Sequence, residues 1–281
     1  MATGSAQLEM PGMPRRLFPA TPSKLATFGD CPRRYRFAYV DRPTPPKGPP
    51  WAHNSVGSAV HAALRSWWEL PVERRTAQAA RQLLYSVWSP NGFRDAEQAE
   101  RWRARAAGWL TDYVTELDPT DEPVGTERQV AATTERLALS GRVDRIDQRG
   151  EELVVVDYKT GRAVSTDDEA RGSPALAAYV LGVRRTLRRP CSRVELHHLP
   201  SGTVAAFEHT ERSLANHVRR AEDVAADIVA ATEAVAAGKD ADAAFPAVPG
   251  RQCGWCDFRP SCPVGQAATP PRETWSFLAE E

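Results

Sequence analysis

Asp157 and Lys159 stand two apart at the end of an apolar run, Val154-Val155-Val156, that reads as a strand buried on both faces. Residues two apart on a strand point to the same face, so a carboxylate and an ammonium group project together. Asp144 lies on the preceding segment, across the hairpin signal Gln148-Arg149-Gly150-Glu151. With that hairpin centred between Arg149 and Gly150, Asp144 pairs with Val155 and Arg142 with Asp157. The two aspartates then become diagonal neighbours on one face, roughly 7–8 Å apart. Carboxylates at that range can hold a hard divalent ion such as Mg²⁺. Lys159 beside them can polarise a phosphate or orient a water. Asp144, Arg142, Asp157 and Lys159 also describe a solvent-facing row of salt bridges, and the spacing leaves both readings open.

Two further side chains fall within reach of this chemistry. His61 lies at the edge of a helical apolar stripe, near Leu64 and Trp68. Helical side chains lean toward the N-terminus, so His61 overlies Gly57, which leaves room for an ion or a phosphate. Tyr179 lies mid-helix among Ala177, Ala178 and Val180. Either residue also fits a core position with its polar atom satisfied nearby.

The second constellation is thiolate-based. Cys253-Gly254-Trp255-Cys256 is a C-x₂-C, Cys262-Pro263 follows it closely, and Cys31-Pro32 lies far earlier in the chain. Three clustered cysteines and a distant fourth fit a metal that ties the two ends of the chain together. With Trp255 and Phe258 nearby, the set suits a [4Fe–4S] cluster in a compact apolar shell. A tetrahedral zinc site takes four thiolates equally well, and spacing does not separate the two. Cys191 is left over and reads as a structural thiol.

The elements that must position these groups follow from periodicity. Thr21-Pro22-Ser23 opens a short helix running toward Cys31, and the five prolines between Arg42 and Pro50 impose an extended loop. Val56, Val60, Ala63, Leu64 and Trp67 predict a helix over residues 55–70, and two more helices fit residues 72–88 and 95–117. Residues 127–132, 136–147 and 152–159 read as strands. Ser173-Pro174 then caps and starts a helix that reaches about residue 187. A hairpin over 193–199 and 203–210 follows, then a long Ala-rich helix over 211–237. This order describes an α/β chain, a mixed sheet with flanking helices.

The chain has 281 residues, enough for one large domain, with 36 basic and 36 acidic side chains. Net charge therefore gives no support for nucleic-acid binding, and any basic surface must be local, as in the pairs Arg15–Arg16, Arg33–Arg34 and Arg219–Arg220. Residues 1–10 lack a basic start followed by an apolar run, and no stretch is apolar enough to span a bilayer. The reading is a cytoplasmic protein, where five cysteines favour metal ligation or buried thiols over disulfides.

Taken in order, the motifs resemble the RecB-like nucleases of the PD-(D/E)XK superfamily that carry an iron–sulfur cluster. These include the AddB nuclease domain and the CRISPR-associated RecB-like exonucleases. The matching stretches are Phe28-Gly29-Asp30-Cys31-Pro32-Arg33-Arg34-Tyr35, Gly57-Ser58-Ala59-Val60-His61 for G-x-x-x-H, and Gly141-Arg142-Val143-Asp144 for G-x-x-D. Asp157-Tyr158-Lys159-Thr160-Gly161 matches the (D/E)-x-K signature, and Cys253, Cys256 and Cys262 match the C-terminal triplet.

The resemblance implies a restriction-endonuclease-like mixed sheet flanked by helices, with a helical insertion and a cluster region joining the two ends. It implies that His61, Asp144, Asp157 and the backbone carbonyl of Tyr158 ligate Mg²⁺ or Mn²⁺, and that Lys159 positions the attacking water. Cys31, Cys253, Cys256 and Cys262 would hold [4Fe–4S]. The family helix reads Q-x-x-x-Y; here Tyr179 carries over, but Ala175 replaces the glutamine. The expected organisation is a flexible start at 1–20, a cluster-ligand segment and Pro-rich loop at 21–50, and a helical region at 51–120. A nuclease core at 121–240 and a cysteine-rich segment at 241–281 complete it. The implied activity is a metal-dependent DNA exonuclease in repair or end processing, on single-stranded DNA or single-stranded ends. The alternative on the same fold is a non-catalytic DNA-binding or scaffold protein. No phosphate-loop motif is present, so any unwinding would come from a partner helicase.

Overall fold

The structure is a computed structural model, and it describes residues 17–279. The expected flexible start and the pair Arg15–Arg16 lie outside the described residues as far as residue 16. Beyond it, Phe18–Ala20 form a short strand, β1, where the sequence reading placed a loose segment. Helices α1 (Pro22–Asp30) and α2 (Pro32–Tyr39) follow, meeting at Cys31. Thr21 caps α1 by accepting from the Lys24 amide, as its position before Pro22 predicts. The Pro-rich stretch then runs without regular structure to α3 (Ala52–Trp68).

Next come α4 (Ala77–Val87), α5 (Ala96–Thr115) and the central strands β2 (Gly125–Thr133), β3 (Leu137–Arg149) and β4 (Glu152–Lys159). The chain continues through α6 (Asp167–Gly172), α7 (Pro174–Leu187), β5 (Cys191–His198), β6 (Thr203–Glu208) and α8 (Glu211–Ala236). It closes with α9 (Ala241–Ala244), α10 (Pro263–Ala268) and intervening 3-10 turns. The helix α6 was not foreseen; its six residues are too few for a periodic signal, although Thr166 and Glu169 form a capping box.

The six strands form one mixed sheet in the order β1-β3-β4-β5-β6, with β2 on β3. β3 is antiparallel to β2 and β4, while β1–β3 and β4–β5 are parallel. β3 is the long spine. β2 covers one edge; the other edge carries β1 at Leu137–Leu139 and β4 from Arg145 onward, which leaves residues 140–144 unpaired on that edge.

Helices cover both faces of the sheet. Val154, Val156 and Tyr158 pack under α3, α4 and α5 with Trp67, Leu84 and Leu110. Leu153 and Val155 pack on the other face with Val143 and with Val180 and Val183 of α7. A strand buried on both faces must be apolar at every position, which is what the three valines encode. This is the central mixed sheet with flanking helices of the restriction-endonuclease-like fold. Among the described residues no helix is long and apolar enough to cross a membrane.

Candidate metal centre and cysteine cavity

The β3–β4 hairpin turns on Gly150 and Glu151, with Arg149 paired to Glu152 and Gly150 at φ 62°. Its centre lies one residue beyond the position expected, and that shifts the pairing by two. The last ladder pair is Arg145 with Val156, so Asp144 faces Asp157 directly and not Val155. Because the shift is two and not one, the aspartates keep a common face. The ladder opens there: in place of a backbone bond, Asp144 Oδ2 accepts from the Tyr158 amide at 2.9 Å.

On the opposite edge of β3, Glu127 falls between the pairs Thr126–Arg145 and Arg128–Val143 and so stands opposite Asp144. Three carboxylates thus lie abreast on β2, β3 and β4. Glu127 was not singled out from the sequence. It has a positive φ of 46°, uncommon for a residue with a β-carbon, and its carboxylate lies with His61 and Asp144. A glutamate opening an amphipathic strand carries no periodic signal of this kind.

α3 brings His61 to the same point. Its Nδ1 is 3.4 Å from Asp144 Oδ1 and its Nε2 is 3.1 Å from the Tyr158 carbonyl. His61, Glu127 and Asp144 each offer one ligand atom within 4.8 Å of the others. A neutral imidazole has one N–H, yet both of its nitrogens face acceptors. Either a proton or a cation must resolve this. Burial alone lowers the His61 pKa, but the hydrogen bond and charge of Asp144, with Asp157 and Glu127 behind, outweigh it and raise the pKa.

The carboxylates show the complementary strain. Burial raises Asp157, Lys159 opposes the rise and Asp144 adds to it, and the net direction is upward. Glu127 is raised by burial and by Asp144, against the pull of Arg142 at 2.7 Å. Lys159 Nζ lies 2.7 Å from Asp157 Oδ2, but that buried oxygen has no well-aligned hydrogen bond among the described residues. A cluster of half-buried carboxyls with an orphaned oxygen, next to an imidazole with two acceptors, fits a hard cation.

Tyr179 comes in from α7. A β-carbon on Gly141 would stand 2.5 Å from Tyr179 Cε1, so the glycine of G-x-x-D makes room for this ring. Burial first, then Asp157 and Asp144, push the phenol up to about 12. The space over Gly57, by contrast, is not free for a ligand: Thr160 Oγ1 lies 3.3 Å from the position of its missing β-carbon.

Behind the site a buried polar network holds the Tyr158 peptide. Arg145, 2% exposed, donates to Tyr158 Oη at 3.3 Å and to Tyr113 Oη at 3.1 Å, and pairs with Asp147. Tyr113 Oη meets His197 Nδ1 at 2.8 Å, and His197 reaches Glu195, which Arg149 and Arg193 also bind. The peptide between Asp157 and Lys159 is therefore fixed from below while its N–H and C=O face the site.

Cys31, Cys253, Cys256 and Cys262 line one cavity of about 400 Å³, with Phe37, Trp255 and Phe258. Their carriers are the α1–α2 junction, a 3-10 turn at Arg251–Trp255 and the cap of α10. Among the described residues, no three of these sulfurs lie within 4.8 Å of one another. Cys191 stands apart: it is 1% exposed in the core under α7, and burial pushes its thiol up to about 12. Of the arginine pairs, Arg33 is not a surface cation but is buried against Asp242.

The chain belongs to the PD-(D/E)XK nuclease superfamily, whose family model matches residues 19–263. A crystal structure described as "Putative exonuclease" from Eubacterium rectale superposes with a TM-score of 0.44 and 10% identity, covering 74% of this chain and 79% of that one. At that score the likeness adds nothing to the functional reading. No curated protein matches significantly.

Proposed function

We propose that this nuclease is a DNA exonuclease of repair or end processing, dependent on Mg²⁺ or Mn²⁺, and that it carries a [4Fe–4S] cluster. The observation that carries the reading is the row Glu127–Asp144–Asp157 with His61 above it and Lys159 beside it. Asp144, Asp157, His61 and the Tyr158 carbonyl would hold the ion, with Glu127 as a further oxygen donor. When bound, such an ion supplies Lewis acidity and a more acidic water at a phosphodiester. Lys159, half-exposed beside Asp157, orients the water and steadies charge that develops on phosphate oxygens. Tyr179 closes the side of the site facing α7.

For the cysteines, one cavity gathers all four thiols with Phe37, Trp255 and Phe258. The aromatic lining and the four-thiolate donor set suit iron–sulfur ligation.

The test is cleavage of end-labelled single- and double-stranded DNA by anaerobically purified protein, with Mg²⁺, with Mn²⁺ and in excess EDTA. Metal-dependent shortening from an end is expected. Full activity in EDTA would overturn the metal assignment. DNA binding without cleavage in either metal would favour the scaffold reading, which the missing glutamine at Ala175 allows.

A further inference from the structure

A second cavity, of about 430 Å³, opens where β4 ends. Thr160, the residue after Lys159, lies on its wall, and Arg162 follows on the same loop. Its other walls are aromatic. Trp109 comes from α5, Trp255 from the cysteine segment and Phe277 from the C-terminal turn. Trp255 and Phe277 meet edge to face at 5.6 Å, and Arg105 lays its guanidinium 5.9 Å from the Trp109 ring centre. Arg105 and Arg162 are both exposed at the rim.

These features select a ligand class. The volume falls in the range of small-ligand sites, roughly 300–1,000 Å³. Arg272 already lies over one side of Trp255 and of Phe277, 5.2 and 5.4 Å from their ring centres, which leaves the Trp109 indole as the main surface for a flat π system; Arg105 and Arg162 supply positive charge that the carboxylate row lacks. The cavity begins at Thr160, the residue that follows Lys159 in the chain. We propose that it is a base-stacking subsite for single-stranded DNA, receiving an unpaired base while Arg105 and Arg162 take the flanking phosphates. A paired base is enclosed in its own stack and cannot enter, so the subsite selects single strands or splayed ends. This rests on the nuclease reading above. Trp255 also lines the cysteine cavity, so one indole is a wall of both.

The test is binding of a fluorescein-labelled oligothymidylate by anisotropy, with Ca²⁺ in place of Mg²⁺, to the full chain as purified. Trp109→Ala should weaken binding about tenfold or more, the loss of one stacked base. Arg105→Ala and Arg162→Ala should each weaken it several-fold and reduce the salt dependence, as lost phosphate contacts do. In the same assay, an abasic site moved stepwise along the oligonucleotide should reduce wild-type affinity sharply at one position. Trp109→Ala should not register that gap, and a purely structural role for the indole would not produce such a coupling. Thermal melts of all three variants check that they fold.

Wild-type affinity in every variant, or no position-dependent abasic penalty, would overturn the subsite. Mn²⁺-dependent cleavage by the wild type would then leave the nuclease reading standing. Conversely, a wild type that shows the abasic coupling but never cleaves in Mn²⁺ would sink the nuclease reading and uphold the subsite. No binding of the oligonucleotide at all would overturn the proposal.

Discussion

The carboxylate row and the cysteine cavity bring distant residues together by different means. Glu127, Asp144 and Asp157 sit on three adjacent strands, which the ladder pairs beside them, Thr126–Arg145 and Arg145–Val156, hold about 4.8 Å apart before any ligand arrives. His61 is added by a helix whose buried stripe locks it onto the sheet. The four cysteines sit instead at helix junctions and 3-10 turns. The surrounding backbone is joined by isolated bonds such as Gly48 N–H to Asp257 O at 2.7 Å and Ser261 Oγ to Pro46 O at 3.0 Å. A sheet can hold like charges in place against their repulsion. A set of loops cannot hold a ligand geometry by itself, so the second site should depend on its occupant for stability where the first depends on it for chemistry.

The largest expected effect follows from that contrast. Closing the chain between Cys31 and Cys253 restricts the unfolded state by roughly 5–6 kcal/mol if the metal group acts like a disulfide of that span. Against a typical stability of about 5–15 kcal/mol this is severe. Cys31→Ala should lose visible absorption and bound iron, melt far earlier and lose DNA cleavage as a consequence. A Cys31→Ala protein that keeps wild-type stability and activity would break the comparison.

The reverse behaviour is expected on the sheet. Asp157→Ala and Lys159→Ala should each reduce cleavage by about 10²–10³-fold or more, with circular dichroism and iron content unchanged. Near-wild-type turnover in either variant, read on end-labelled DNA, removes β4 from the catalytic role.

A smaller effect concerns the charge stored in the row. The carboxyls of Asp157 and Glu127 are raised, chiefly by burial, above their ordinary range. A carboxyl raised in the folded state stabilises it below the unfolded value, and that contribution is lost as pH rises through the folded value. Metal-free protein should therefore become less stable as pH rises from about 4 through that window. Mn²⁺ at neutral pH should reverse the loss, raising the melting temperature by about 2–4 °C per kcal/mol of linkage. Glu127→Gln should shrink both the pH effect and the Mn²⁺ shift. Identical melting curves in Mn²⁺ and EDTA at pH 7 would show that the row holds no ion.

The smallest change is predicted for the thiol that belongs to neither site. Cys191→Ala trims one buried sulfur from the core under α7 and should cost about 1 kcal/mol in a denaturant titration. Iron content and cleavage should not move; a loss of iron would mean that Cys191 belongs to the cluster.

Much of this architecture was legible in the chain. The valine run marked β4 at the bounds observed, the apolar stripe of α3 placed His61 on its edge, and Ser173-Pro174 marked the start of α7. Each of these is a local matter, because a period of 2 or 3.6 fixes which residues share a face within one element. Asp157 and Lys159 could be paired on sight for the same reason. What lay beyond that reach depended on contacts between elements. The register that sets Asp144 opposite Asp157 was decided by a turn one residue further along than the pattern suggested. Glu127 joined the row only through the β2–β3 register that sets it across from Asp144. The buried path from Arg145 to Glu195 and the aromatic cavity beside Thr160 gather side chains from segments far apart in the chain. The sequence alone determined the elements and the faces they present. Only the tertiary structure decided which faces meet, because the energy of that meeting resides in packing and cross-strand pairing, which no single segment contains.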